Sequence, residues 1–163
     1  LPNQLSVQLT SIFAASLALG RISAGVILKK LSWYWLLNSC LIAMALLILL
    51  TLPLTRDIAH NADVNLLTAP LAAYLFPLIG LFMAPIYPVI NSVILSARPK
   101  PRHAAMTGLI VVFSALGGTT GSMVTGYTFA NFDGQTAFYL SLLPLSLLLL
   151  SIGLFHRQIQ LVT

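Results

Sequence analysis

Apolar positions along this chain come in five long, nearly unbroken runs, near residues 5–28, 34–54, 71–97, 104–130 and 134–155, with polar and charged residues gathered in the short stretches between them. A helix that crosses the hydrocarbon of a bilayer needs roughly 20 mostly apolar residues, and each run meets that length. Barrel strands would alternate apolar and polar over about ten residues. The leucine-rich fifth run, from Leu140 to Phe155, shows no alternation. With no water to satisfy the backbone inside lipid, helices are the remaining solution. The pattern predicts an all-α integral membrane fold of five transmembrane helices.

The runs differ in kind. The second and fifth are apolar on nearly every face, which predicts helices with much of their circumference against lipid. The first, third and fourth carry Gly, Ala, Ser, Thr, Pro, Asn and Gln within the hydrocarbon, as close helix contacts or a wet cavity require. Every third run counted from the end is therefore plain, and the two between are decorated, which suggests a three-helix unit used repeatedly. In the third run Pro70, Pro77, Pro85 and Pro88 each remove a backbone donor and crowd the carbonyl four residues earlier. The expected helix is bent or broken there, with Pro85 and Pro88 as gating candidates and a simple bend as the plainer alternative. The fourth run carries Gly117, Gly118, Gly121 and Gly126 with Ser114, Ser122 and Thr125, a narrow face that lets helix backbones approach. Packing is the first reading of this face. A ligand role for Thr119 or Ser122 competes with hydroxyls that bond back to their own helix.

Charge placement adds an orientation. Arg21, Lys29, Lys30, Arg98, Lys100, Arg102 and Arg157 fall on one side of the membrane and Arg56 alone on the other. Lys and Arg near span ends are retained in the cytoplasm, so the N-terminus is expected outside and the C-terminus inside a cell membrane, the inner membrane in a bacterium. Arg21, Lys29, Lys30 and Arg98 are the expected cytoplasmic anchors. Trp33, Tyr34 and Trp35 read as an interfacial aromatic belt. Arg21 lies about two turns inside the membrane, where it snorkels or takes a partner from a carbonyl, a lipid phosphate or another segment. An odd number of spans that begins outside, on Leu1, predicts a missing N-terminal part.

Composition narrows the chemistry further. Apolar residues make up 58% and charged residues 7% of the chain, and the mean hydropathy is +0.96. There is no Glu, and Asp57, Asp63 and Asp133 lie between runs, as do His60 and His103, with His156 at the membrane edge. No carboxylate pair, His–nucleophile pair or metal-ligand cluster sits inside a span, so no enzyme activity, metal site or cofactor is expected. The pI near 9.8 comes from span anchors without a shared soluble face and is no evidence for nucleic-acid binding, so no nucleic-acid partner is expected. Cys40, inside the second run, reads as a small apolar residue.

Tyr87 and Asn91 are the leading substrate-binding candidates. They stand one helical turn apart on the proline-rich run, in phase with Gly80 and Ala84, and roughly 5 and 10 Å from the centre plane by rise per residue. Tyr can stack on the apolar face of a sugar, and an Asn amide both donates to and accepts from hydroxyls. The alternative is that Asn91 bridges helices while Tyr87 fills an interior gap. Gln8 is a weaker third candidate.

These residues resemble the major facilitator superfamily, in particular its fucose-permease and glucose–galactose-permease branch. Gly20 and Arg21 followed by Lys29 and Lys30 resemble the connection between helices eight and nine; Met83, Tyr87, Pro88, Ile90 and Ser92 in MAPIYPVINS resemble helix ten; Gly117, Gly118 and Gly126 in LGGTTGSMVTG resemble helix eleven. The loop signature of that superfamily meets Gly25, Lys29, Lys30, Ser32, Trp33 and Tyr34 here and lacks its Asp and second Gly. The resemblance implies a partial superfamily fold, helices eight to twelve, facing a missing N-terminal half across a central cavity and working by alternating access. It implies a secondary transporter, proton-coupled, for a sugar or similar small polar solute, with the lipid bilayer as its other partner. The rival expectation, from a different class, is a small multi-span scaffold or accessory subunit acting through helix–helix contacts.

Overall fold

The computed structural model describes residues 3–54, 71–132 and 134–162. Arg56, Asp57, His60, Asp63, Pro70 and Asp133 lie outside the described residues. The helices are α1 (Asn3–Ile27), α2 (Trp33–Leu54), α3 (Leu71–Met83), α4 (Ile86–Ser96), α5 (His103–Asn131), α6 (Gly134–Leu140) and α7 (Leu142–Val162), with a short 3₁₀ turn, Lys100–Arg102, before α5. Five stretches are long and apolar enough to cross a membrane, Val7–Ile27, Trp33–Thr51, Tyr74–Ser96, Lys100–Asn131 and Thr136–Gln158. They fall on the five expected runs.

Two of those runs are divided. The third breaks between Met83 and Ile86, where Ala84 and Pro85 form a turn that separates α3 from α4. Pro85 offers no N–H to the carbonyl of Leu81, and Pro88 then falls in the first turn of α4, where a missing donor is tolerated. Pro77, by contrast, sits within α3 without ending it. The fifth run breaks at Ser141, which the apolar pattern does not predict. Pro144 withholds a donor from Leu140, and Ser141 closes the gap by donating from its backbone N–H to the carbonyl of Phe138 at 3.2 Å and from its Oγ to the same oxygen at 2.5 Å.

The core sits on α2. Leu37, Cys40, Leu41, Met44, Ile48 and Thr51 form a buried stripe at helical spacing, and Leu41 is 0% exposed. The Thr51 hydroxyl is satisfied by the carbonyl of Leu47 at 2.7 Å. Helices α3, α4, α6 and α7 all touch α2, whereas Trp35, Ile42, Leu46 and Leu49 on its opposite side are exposed. The second run, expected at the periphery, is thus the hub of this chain, with one face open. The reason is that lipid and protein interior are equally apolar, so hydropathy does not tell the inner face of a span from the outer one.

Helix α1 packs along α3. At their crossing, a Cβ on Gly20 would overlap the carbonyl oxygen of Leu81 and stand 2.8 Å from the Ala84 Cβ, and one on Gly80 would stand 2.6 Å from the Phe13 ring. The hydrogen in the Cβ position of Gly20 points at the carbonyl that Pro85 leaves without its helical donor, a Cα–H···O arrangement found where helices approach closely. Helix α5 stands apart. Every residue from Val111 to Tyr127 is exposed, and the helix meets α4 and α6 alone among its larger contacts with other helices.

Candidate functional site

Because α1 packs chiefly along α3, the stripe that begins with Gly80 and Ala84 changes company at the break. Gly80 and Ala84 are buried against α1, while Tyr87 and Asn91, in phase with them, line a cavity of about 700 Å³ between α2, α4, α5 and α7. That volume falls within the roughly 300–1,000 Å³ usual for small-molecule sites. Its walls are apolar except at three side chains, Tyr87, Asn91 and Ser114. None of the three makes a hydrogen bond among the described residues. Ser114 was legible only as part of the small-residue face of the fourth run, and its place in the same lining as Asn91 depends on how α5 leans, which no spacing encodes.

Other hydroxyls of α5 are already used. Thr119 donates to the carbonyl of Ala115 at 2.9 Å and Ser122 to that of Gly118 at 2.8 Å, the self-bonding alternative for these residues. Around Gly117, Gly118, Gly121 and Gly126 an added Cβ would meet nothing within 4 Å. The glycines on which this chain closes are Gly20 and Gly80, which the sequence marked only by the resemblance at the end of the first run and by the shared face with Tyr87 and Asn91, not as points of close helix approach. Gln8 is exposed on α1 and does not line the cavity. Among the gating candidates, Pro85 is buried at the break and Pro88 exposed.

A model of the Major Facilitator Superfamily matches residues 2–159. The chain belongs to that family. No curated protein and no solved structure matches it. As a superfamily member it is a multi-pass membrane protein of transporter type, in a family of transporters and not of enzymes.

Six of the described basic residues of this superfamily chain gather at one end of the bundle. Trp33, at the start of α2, lies with its ring centroid 6.1 Å from Phe155 and 5.6 Å from His156, which brings the α1–α2 loop beside the end of α7. Tyr34 stacks on His156 with centroids 4.0 Å apart and planes 14° apart. Trp33 and Tyr34 are thereby turned inward as a clasp between α2 and α7, and Trp35 alone of the expected belt faces fully out. The His156 Nδ1 is buried without a hydrogen-bond partner among the described residues. Val93 and Ile94 of α4 reach the same end, so Lys29, Lys30, Arg98, Lys100, Arg102 and Arg157 share it; all are exposed. There the His103 ring and the carbonyl of Arg98, 2.9 Å apart, tie the α4–α5 connection. Arg21 is exposed on α1, beside the buried Gly20. At the opposite end, Phe76 meets Phe138 edge to face at 5.5 Å and joins α3 to α6.

Proposed function

We propose that this chain forms part of the solute-translocating wall of a secondary active transporter that works by alternating access, with its basic end in the cytoplasm. The observation that carries this reading is the convergence of Tyr87, Asn91 and Ser114, all without hydrogen-bond partners, on one cavity. Unpaired polar groups inside a membrane are costly unless a ligand or water meets them. Asn91 supplies both a donor and an acceptor, Tyr87 a hydroxyl on a flat apolar ring, and Ser114 a second hydroxyl from across the cleft. A sugar or similar small polar solute matches that set. Gln8 contributes, in this reading, from a wall completed by a segment outside residues 1–163.

The bare small-residue face of α5, with Gly117, Gly118 and Gly121, is read here as the seat of a neighbouring helix of the intact carrier, in the C-terminal part of a fucose-permease-like protein. Pro85 and Pro88 serve as the pivot that lets α4 move while α3 stays fixed on α1. Proton coupling usually rests on a carboxylate within the membrane that changes charge during the cycle. The spans here hold none, so the coupling acid belongs to that other segment. A second reading, an amphiphilic solute, is favoured by the walls, which are apolar at every position but the three named.

One experiment separates these. Labelled solutes, graded from sugars to amphiphiles, are offered to cells making the intact carrier, with and without a pH gradient. Sugar uptake driven by the gradient and reduced at least tenfold by Asn91→Ala, with normal insertion, supports the first reading. Unchanged uptake kinetics in Asn91→Ala remove Asn91 from the site.

A further inference from the structure

Beside the larger cavity, and sharing the wall of Ile90, Ile94 and Leu148 with it, lies a second of about 170 Å³ between α2, α4 and α7. Its remaining lining is Trp33, Leu37, Val93, Ser151, Ile152 and Phe155. Its polar groups are the indole N–H of Trp33 and the Ser151 hydroxyl, which donates to the carbonyl of Leu147 at 2.8 Å. Every other lining side chain is apolar, which suits a hydrocarbon chain. The cavity is too small for a helix, which with side chains is about 10 Å across.

We propose that this cavity holds one acyl chain of an anionic phospholipid. The layers above it follow the order of such a molecule. The apolar slot is rimmed by the rings of Trp33 and Phe155, and each of its three walls continues into exposed cations at the same end. Lys29 and Lys30 precede Trp33, Arg98 follows Ile94 by four residues, and Arg157 follows Phe155 by two. No Asp or Glu is present among the described residues to pair with them. Basic pockets between membrane helices recruit acidic headgroups in this way. Since the lipid chain lies against the far side of Ile90 and Ile94, it braces α4, the helix that carries Tyr87 and Asn91.

Two variants of the chain report on the site in bilayers. With Trp35→Phe, the fluorescence of Trp33 senses the slot; with Trp33→Phe, that of Trp35, which is 66% exposed, senses the surrounding lipid. Phosphatidylglycerol and phosphatidylcholine with brominated chains are compared at equal mole fraction as quenchers. The proposal expects Trp33 to be quenched several-fold more by the anionic lipid and Trp35 to show no such preference. Arg98→Gln and Arg157→Gln should each lower the preference at Trp33 roughly fivefold. Leu148→Phe, which fills the slot, should cut Trp33 quenching by both lipids, while Trp35 quenching in the parallel variant shows that the protein has inserted. Equal preference at the two tryptophans would make the lipid a general surface layer and overturn the assignment. So would quenching that survives Leu148→Phe, or protection of Trp33 from both lipids, which would mean that protein covers the slot.

Discussion

At the scale of single residues, glycines of identical chemistry have opposite standing in this chain. Gly20 lies where a side chain would strike the Leu81 carbonyl, whereas a Cβ on Gly25, five residues on in the same helix, would meet nothing within 4 Å. Gly20→Val is expected to destabilise by about 1–3 kcal/mol, as overpacking does, and Gly25→Val by about 0.5 kcal/mol or less. Unfolding of the two variants in mixed micelles measures the difference. Leu41 and Leu46 form a second such pair. Leu41 is wholly buried and Leu46 is 55% exposed, so Leu41→Ala leaves a cavity at a loss of roughly 2 kcal/mol, while lipid closes over Leu46→Ala. Neither pair could be separated from the sequence, because the residue types are the same and their surroundings are fixed only by which helices meet. Tyr87 and Asn91 were legible because a polar side chain inside an apolar run is conspicuous. Ser114 was hidden among the small residues that surround it.

At the scale of elements, length and hydropathy disclosed all five spans, since the thickness of the hydrocarbon leaves little freedom in where a helix starts and stops. The breaks were only partly legible. Three of the prolines in the third run were not equivalent once folded: Pro77 sits inside α3, Pro85 at the break and Pro88 in a first turn, and only Pro85 coincides with a loss of helix. Pro144, inconspicuous among leucines, divides the fifth run for the same reason. Pro85→Ala restores a donor for Leu81, and is expected to slow hydrogen exchange of the Leu81–Val89 amides while reducing uptake by the intact carrier. Exchange that is unchanged or faster would mean that packing of α1, and not the proline, holds the break open. Helix order around α2 was not legible at all, as its buried and exposed stripes are equally apolar.

At the scale of the whole molecule, the charge pattern and the helix contacts agree on two ends. The clasp of Trp33, Tyr34, Phe155 and His156 brings the α1–α2 loop and the end of α7 together, in keeping with the Lys and Arg that flank both. Ser32→Cys and Ala97→Cys, each in a Cys40→Ala background, should react with an impermeant thiol reagent from the same side of the membrane, and labelling from opposite sides would invalidate the topology. The bundle is nevertheless lopsided, with α1 to α4 mutually held and α5 bare along its waist from Val111 to Tyr127. A span held sideways by so little, touching α4 and α6 alone among its larger helix contacts, is the natural handle for a membrane quality-control protease. How long this chain survives in a cell therefore depends on what comes to lie along α5.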